Sequence, residues 1–162
     1  MTEEIVMKIF KKSFVFLLTL IICITVPLSV FAQSTVKTDT QIQYFDDGSY
    51  IVTETTQNIA PFSSGTNSLT RTSVYFNSDD EALWTVSLTG RFTYTGSSAT
   101  CTSATTSYKI YDNAWKVTEA TPSKSGRTAS AYFVVKKYWI GIITKTVPVQ
   151  IVLTCDNNGN IS

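Results

Sequence analysis

The sequence predicts an all-β domain: an antiparallel β-sandwich of about eight strands, or alternatively a small barrel, preceded by an N-terminal signal helix. Three observations predict it. Beyond the first thirty-odd residues the chain is rich in Thr, Ser, Val, Ile and Tyr and poor in Leu, Glu and Lys, a composition that favours strands. Apolar and polar residues alternate singly over long stretches, which only extended backbone sorts onto two faces. Clusters of Asp, Asn, Gly, Ser and Pro interrupt these stretches roughly every 10–15 residues, at hairpin-length spacings that make neighbours antiparallel.

Residues 7–32 read MKIFKKSFVFLLTLIICITVPLSVFA, with a basic start, an apolar run from Ser13 to Phe31, a late Pro27 and a small residue at Ala32. That is the layout of a secretory signal cleaved after Ala32, and Met7 is a candidate start because a complete basic region follows it. An uncleaved anchor is the alternative, since about nineteen apolar residues can just span a hydrocarbon core of roughly 30 Å. Cys23 is a poor lipoprotein cysteine, because bulky Ile22 precedes it where a small residue is needed. The expected organisation is therefore a signal at 1–32 and one β-domain at 33–162.

The strands can be taken in order. Gln41–Phe45 and Ser49–Gln57 flank Asp46-Asp47-Gly48, a tight-hairpin signature. Asn58–Asn67, with Pro61-Phe62-Ser63-Ser64-Gly65, reads as a longer loop before Ser68–Asn77, and Asn77-Ser78-Asp79-Asp80 as the next turn. From Leu83 to Thr95 the alternation is cleanest: Trp84, Val86, Leu88, Gly90, Phe92 and Tyr94 share one face and Thr85, Ser87, Thr89, Arg91 and Thr93 the other. In Ala99–Tyr111 the apolar phase slips between Cys101 and Tyr108, which a bulge within Thr102–Ser107 would reconcile. Trp115–Ala120 follows the Asp112-Asn113 turn, and Pro122–Gly126 reads as a loop. Thr128–Lys137 reads as continuing through Tyr138–Thr144, and the last strand places Val147, Val149, Ile151, Leu153 and Cys155 on one face. Pro148 cannot donate to a ladder, so it should mark a strand start or an outward edge position.

Charge excludes one class of partner. The chain carries 13 basic and 12 acidic residues, and once Lys8, Lys11, Lys12, Glu3 and Glu4 leave with the signal, ten of each sign remain. No basic face for nucleic acid is expected from that balance. Cys101 and Cys155 are the two cysteines of the mature segment, and in an oxidising compartment they are expected to form a disulfide; its loop of about 55 residues would be worth roughly 4 kcal/mol on chain-entropy arithmetic. Two buried free thiols are the alternative.

There is no histidine, which removes Ser-His-Asp and Cys-His nucleophile systems and the commonest zinc ligand. Carboxylate chemistry needs two acids across a cleft, but the acids here sit mostly in turns, where Asp bonds its own backbone; Glu54 and Glu119 lie in strands and are expected to face solvent. Asp79-Asp80-Glu81 is the best cluster of hard ligands and Asp156–Asn160 a weaker one, yet each reads first as a turn. Ser34-Thr35-Val36-Lys37 matches S-x-x-K only by letter, beside the cleavage point. No catalytic, cofactor or metal residues are assigned.

The mature segment holds sixteen aromatics. Trp84, Phe92 and Tyr94 share the apolar phase and are expected in the core, whereas Trp115, Tyr138 and Trp139 are the candidate ligand-facing aromatics, Tyr138-Trp139 following directly on Lys136-Lys137.

Taken together, Tyr44-Phe45-Asp46-Asp47-Gly48-Ser49-Tyr50, Glu81-Ala82-Leu83-Trp84, Phe92-Thr93-Tyr94-Thr95-Gly96, Cys101 and Leu153-Thr154-Cys155 resemble a group of small exported proteins of Gram-positive bacteria with no assigned function. The resemblance covers most of the mature segment. It implies export and a two-cysteine β-domain, and it contributes no activity, ligand or site residue.

The expected function is that of a secreted or cell-surface, non-catalytic β-domain binding a glycan or a protein, without cofactor and without nucleic acid. The alternative is a membrane-active or antagonistic small secreted protein that uses Tyr132–Ile143 as an amphipathic hairpin; otherwise a membrane enters only through an uncleaved signal. A two-carboxylate enzyme ranks behind both.

Overall fold

In the computed structural model, residues 35–59 and 64–162 are described, and all of them are strand, turn or irregular. The signal helix and the cleavage point after Ala32 lie outside the described residues. Eight strands follow one another: β1 (Thr35–Tyr44), β2 (Tyr50–Ile59), β3 (Gly65–Phe76), β4 (Ala82–Tyr94), β5 (Ala99–Ile110), β6 (Trp115–Ser125), β7 (Thr128–Trp139) and β8 (Ile142–Thr154). They form two antiparallel sheets in simple sequence order, β1-β2-β3-β4-β5 and β6-β7-β8.

Turn chemistry explains the hairpins. At β1–β2, Phe45 N–H donates to Ser49 C=O at 2.9 Å and Gly48 takes φ 80°, a type I turn closed by a glycine bulge. The β3–β4 turn copies that geometry, with Asn77 N–H to Glu81 C=O at 3.1 Å, but puts Asp80 at φ 63° where glycine is preferred. The C-terminal Asp156–Asn160 segment makes the same turn a third time, and Cys155 then pairs with Ile161.

Three boundaries differ from the sequence reading. The loop expected at Pro122–Gly126 is mostly strand: β6 runs to Ser125, with Pro122 opposite Ala131. It can do so because β6 is an edge strand and its outer side has no ladder to lose. Pro148, by contrast, takes the outward edge position that was one of its two expected places: it is exposed within β8, the opposite edge of the same sheet. The strand expected to continue from Lys137 to Thr144 is broken at Ile140-Gly141, and the loop expected over Asn58–Asn67 shrinks as β2 reaches Ile59 and β3 resumes at Gly65; residues 60–63 lie outside the described residues.

The phase slip in β5 has the expected cause. Arg91 pairs with Ser103 and Phe92 with Cys101, so Thr102 is the extra residue, and its hydroxyl donates to Arg91 C=O at 3.0 Å. The bulge turns Cys101 and Ala104 toward the same side despite their odd spacing.

One core serves both sheets. Trp84, Val86, Leu88 and Phe92 of β4 and Phe133, Val135, Val147 and Leu153 of β7 and β8 are fully buried. β4 lies against β7 and β8, and β5 against β6 and β7. At the near end Tyr75 stacks on Trp84, with centroids 4.9 Å apart and planes 4° from parallel, while Trp115 tilts against both at 5.1 and 6.1 Å. Midway along β4, Gly90 stands where a Cβ would come within 2.7 Å of the Phe92 ring and 3.1 Å of the Ala129 Cβ on β7. Replacing Gly90 with Val should therefore destabilise the domain by about 1–3 kcal/mol through overpacking, seen as a lower denaturation midpoint.

Candidate binding surface at the β7–β8 tip

The two-residue turn Ile140-Gly141 joins Trp139 to Ile142, its register partner, with φ 47° at Ile140 and 78° at Gly141. Positive φ at both central residues defines the type I′ hairpin turn, in which Asn-Gly is the favoured pair. A β-branched residue in the left-handed region is a steric outlier, because its Cβ crowds the neighbouring carbonyl oxygen. The tip is also unusually bare of cover: Trp139 is 68% exposed, Ile140 84%, Ile142 67% and Ile143 47%. Tyr138 is half-buried, and its N–H is anchored to Ala114 C=O at 2.7 Å. Strain and apolar exposure thus coincide in one hairpin end.

Lysines ring the base of that tip. Lys116 and Lys136 are register partners on β6 and β7, and Lys137 and Lys145 on β7 and β8, so like charges face each other twice. Lys116 Nζ lies 5.4 Å from the Tyr138 ring centroid and Lys137 Nζ 5.9 Å from that of Trp115. Lys145 reaches across to the β1–β2 turn, where it pairs with Asp47 and donates to Ser49 Oγ at 3.0 Å, and Ser49 in turn receives Tyr75 O–H at 2.7 Å. The Lys145 hydrogen bond, followed by that of Ser49, holds the Asp47 carboxyl at about 2. For Lys145, burial works downward, but the bonds to Asp47 and Tyr75 outweigh it and the ammonium pKa is raised.

Of the three candidate aromatics, the structure brings Tyr138 and Trp139 to the tip and removes Trp115 from it. Trp115 is only 3% exposed, because β6 starts against the core and aims that indole at Tyr75 and Trp84. The Nε1 atoms of Trp84 and Trp115 are buried without a hydrogen-bond partner and lie among aromatic rings.

Cys101 and Cys155 both face the core, as the alternation implies, but as free thiols rather than the expected disulfide. Each sulfur is turned to a nearby carbonyl, Cys101 to Ser103 O and Cys155 to Asp156 O, both at 3.3 Å. Burial is the main cause that pushes both thiol pKa values up.

The acids behave as turn builders. Asp156 accepts from the N–H groups of Asn158 and Asn160 at 2.8 and 2.9 Å, Asp112 accepts from Ala114 N–H at 2.9 Å, and Asp80 accepts the Tyr50 hydroxyl at 2.8 Å. Glu54 and Glu119 are exposed on β2 and β6. Among the described residues no group of three or more His, Cys, Asp or Glu is gathered closely enough to hold a metal ion.

A concavity of about 260 Å³ opens between the outer strands of the two sheets, lined by Gln41 and Gln43 of β1, Arg71 of β3 and Pro148–Val152 of β8. Half-buried Arg71 donates from Nε to Thr55 Oγ1 and from an η nitrogen to Val152 C=O, both at 2.6 Å, so it ties β3 to the free edge of β8. Sequence reasoning did not single out Arg71. Its only signal is a charge in a strand of otherwise uncharged residues, and its partners lie 16 and 81 residues away.

No family model matches the chain, and no curated protein does. Among solved structures, a hypothetical protein from Listeria monocytogenes is similar at 18% identity and a TM-score of 0.40, over 77% of this chain and 95% of that one.

Two outcomes test this geometry. Replacing Ile140 with Asn should raise stability by about 1 kcal/mol, because Asn tolerates the left-handed conformation that Ile resists; thermal denaturation at neutral pH reads it. The Lys145–Asp47 contribution follows the depressed Asp47 pKa, so it is complete above the ordinary carboxylate value of 3.8 and lost as pH falls toward about 2. Melting curves of wild type and Asp47→Asn should accordingly differ at pH 5 to 7 and converge near pH 2.

Proposed function

We propose that this chain is an exported, non-catalytic β-domain that works by binding at a surface, with the β7–β8 tip as its contact. The two sheets around one core are read as a β-sandwich scaffold, and the apolar leader at 7–32 as the export signal. The observation that carries the reading is the coincidence of a strained Ile140 with the exposed Trp139, Ile142 and Ile143. Outlying backbone conformations persist where the surroundings enforce them and cluster at functional sites. Apolar side chains grouped at a protrusion mark interaction sites more often than scattered ones do.

A glycan or protein partner draws support from Tyr138 and Trp139, whose flat rings suit stacking, but burial of Trp115 leaves that platform with two of its three aromatics. The test is to follow the chain in its own host. Protein recovered from the medium should have the mass of residues 33–162, and on adding it back to washed cell envelopes it should co-sediment, with Trp139→Ala largely lost from the pellet. Full-length protein held in the membrane fraction would favour the anchored alternative, and equal sedimentation of wild type and Trp139→Ala would remove the tip from the mechanism.

A further inference from the structure

We propose that the β7–β8 tip seats in the headgroup region of an anionic lipid bilayer, an inference that rests on reading this tip as the binding site. The tip protrudes and is apolar. From Tyr138 to Thr144 the chain carries no charge, and its only side-chain hydrogen-bonding groups are the Tyr138 hydroxyl, the Trp139 indole N–H and the Thr144 hydroxyl. The Thr144 hydroxyl already donates to Lys137 C=O at 3.4 Å. Reading a sugar or a peptide takes several directed polar groups, whereas a bilayer interface asks only for aliphatic side chains and an amphipathic ring such as Trp.

Charge on the same hairpin selects the lipid. Every charged residue flanking the tip on the three-stranded sheet is a lysine: Lys116, Lys136, Lys137 and Lys145. Of these, among the described residues, Lys145 alone pairs with an acid, Asp47. Lys116 and Lys136 are directly opposed like charges, and a negatively charged surface would relieve that pair, whereas the charge of Lys145 is already met by Asp47. The acids at this end of the domain belong to the neighbouring turns rather than to the hairpin: Asp47 and Asp80 are engaged by Lys145 and Tyr50, Glu81 by the Asn77 amide and Asp112 by Ala114 N–H. Asp46 and Asp79 complete that set, exposed in the β1–β2 and β3–β4 turns. The geometry thus presents an apolar point with a cationic collar. The left-handed Ile140 fits the same picture, because Asn at that position would relieve strain at the expense of the apolar point.

The experiment uses the full chain as its host exports it, so that wild type and variants share one N-terminus, with three probes: vesicles of mixed phosphatidylglycerol and phosphatidylcholine, vesicles of phosphatidylcholine alone, and insoluble wall polysaccharide. Co-sedimentation gives the partition. Tryptophan emission reports insertion, because Trp84 and Trp115 are already buried and a blue shift comes from Trp139. The expected result is binding to the anionic vesicles with a blue shift, weakened by salt, and at least about tenfold weaker binding for Trp139→Ala and for Ile140→Asn. Ile140→Asn keeps the comparison clean, since relief of the left-handed strain should leave it melting no lower than wild type. A double Lys116→Gln, Lys136→Gln variant should lose the preference for anionic over neutral vesicles. Equal partition onto neutral vesicles, or anionic binding untouched by both tip substitutions, overturns the proposal. Binding to polysaccharide alone that the tip substitutions abolish overturns the lipid while leaving the tip as the binding site, and no tip-dependent binding to any of the three overturns both.

Discussion

The inward row of β4 carries the architecture. Trp84, Val86, Leu88, Phe92 and Tyr94 leave one face of a thirteen-residue strand dry, and Phe133 and Val135 of β7 with Val147 and Leu153 of β8 belong to the buried cluster that covers it. A sheet with one apolar face must bury that face against something, and each fully buried aliphatic or aromatic side chain contributes about 1.5–3 kcal/mol. Gly90 in the middle of the row sets how closely the layers approach, because a larger residue would meet Phe92 and Ala129. The register of the remaining strands is arranged to keep this row continuous. Thr102 is pushed out as a bulge so that both ends of β5 can follow β4, and a second irregularity between Val117 and Glu119 does the same for β6 against β7.

The two ends of the domain are treated differently. At one end the C-terminal turn folds over the sheet, with Gly159 against the Tyr94 ring, Asn67 donating to Gly159 C=O at 2.9 Å and Gly96 N–H donating to Asn157 C=O at 2.9 Å. That end is closed by its own backbone. At the other end the Tyr75, Trp84 and Trp115 rings are capped by the Lys145, Asp47 and Ser49 network, and beyond the cap the β7–β8 hairpin runs on without cover. Edges are protected by prolines within β6 and β8 and by the Arg71 bond to Val152, which occupies an outward carbonyl of β8. Against that care elsewhere, an exposed isoleucine in a left-handed turn stands out, and the proposed role at a surface rests on its exposure.

Much of the fold was legible in the sequence because alternation is a local property. The strand from Leu83 to Thr95, the bulge near Thr102, the Asp46-Asp47-Gly48 hairpin, the edge position of Pro148 and the inward direction of both cysteines follow from residues within a few positions of one another. The errors were local signals overridden by pairing. Pro122 read as a loop because proline breaks a ladder, yet on an edge strand one side has no ladder to break. Ile140-Gly141 was hidden because isoleucine is the last residue expected in a turn that demands positive φ, so two strands read as one.

By itself the sequence determined that the chain after its apolar leader is rich in strands, which residues of β4 and β8 face inward, and that histidine-dependent chemistry is absent. Only the tertiary structure decided which inward residues meet across the layers, since those choices join positions up to about a hundred residues apart. It sent Trp115 into the core and left Trp139 in solvent, although both follow polar turns or lysines in the sequence. It also gathered Cys101 and Cys155 into one core, each sulfur turned to a nearby carbonyl. Whether an aromatic side chain finds cover depends on the opposing sheet, and the opposing sheet is set by the packing of the whole chain rather than by its neighbours in sequence.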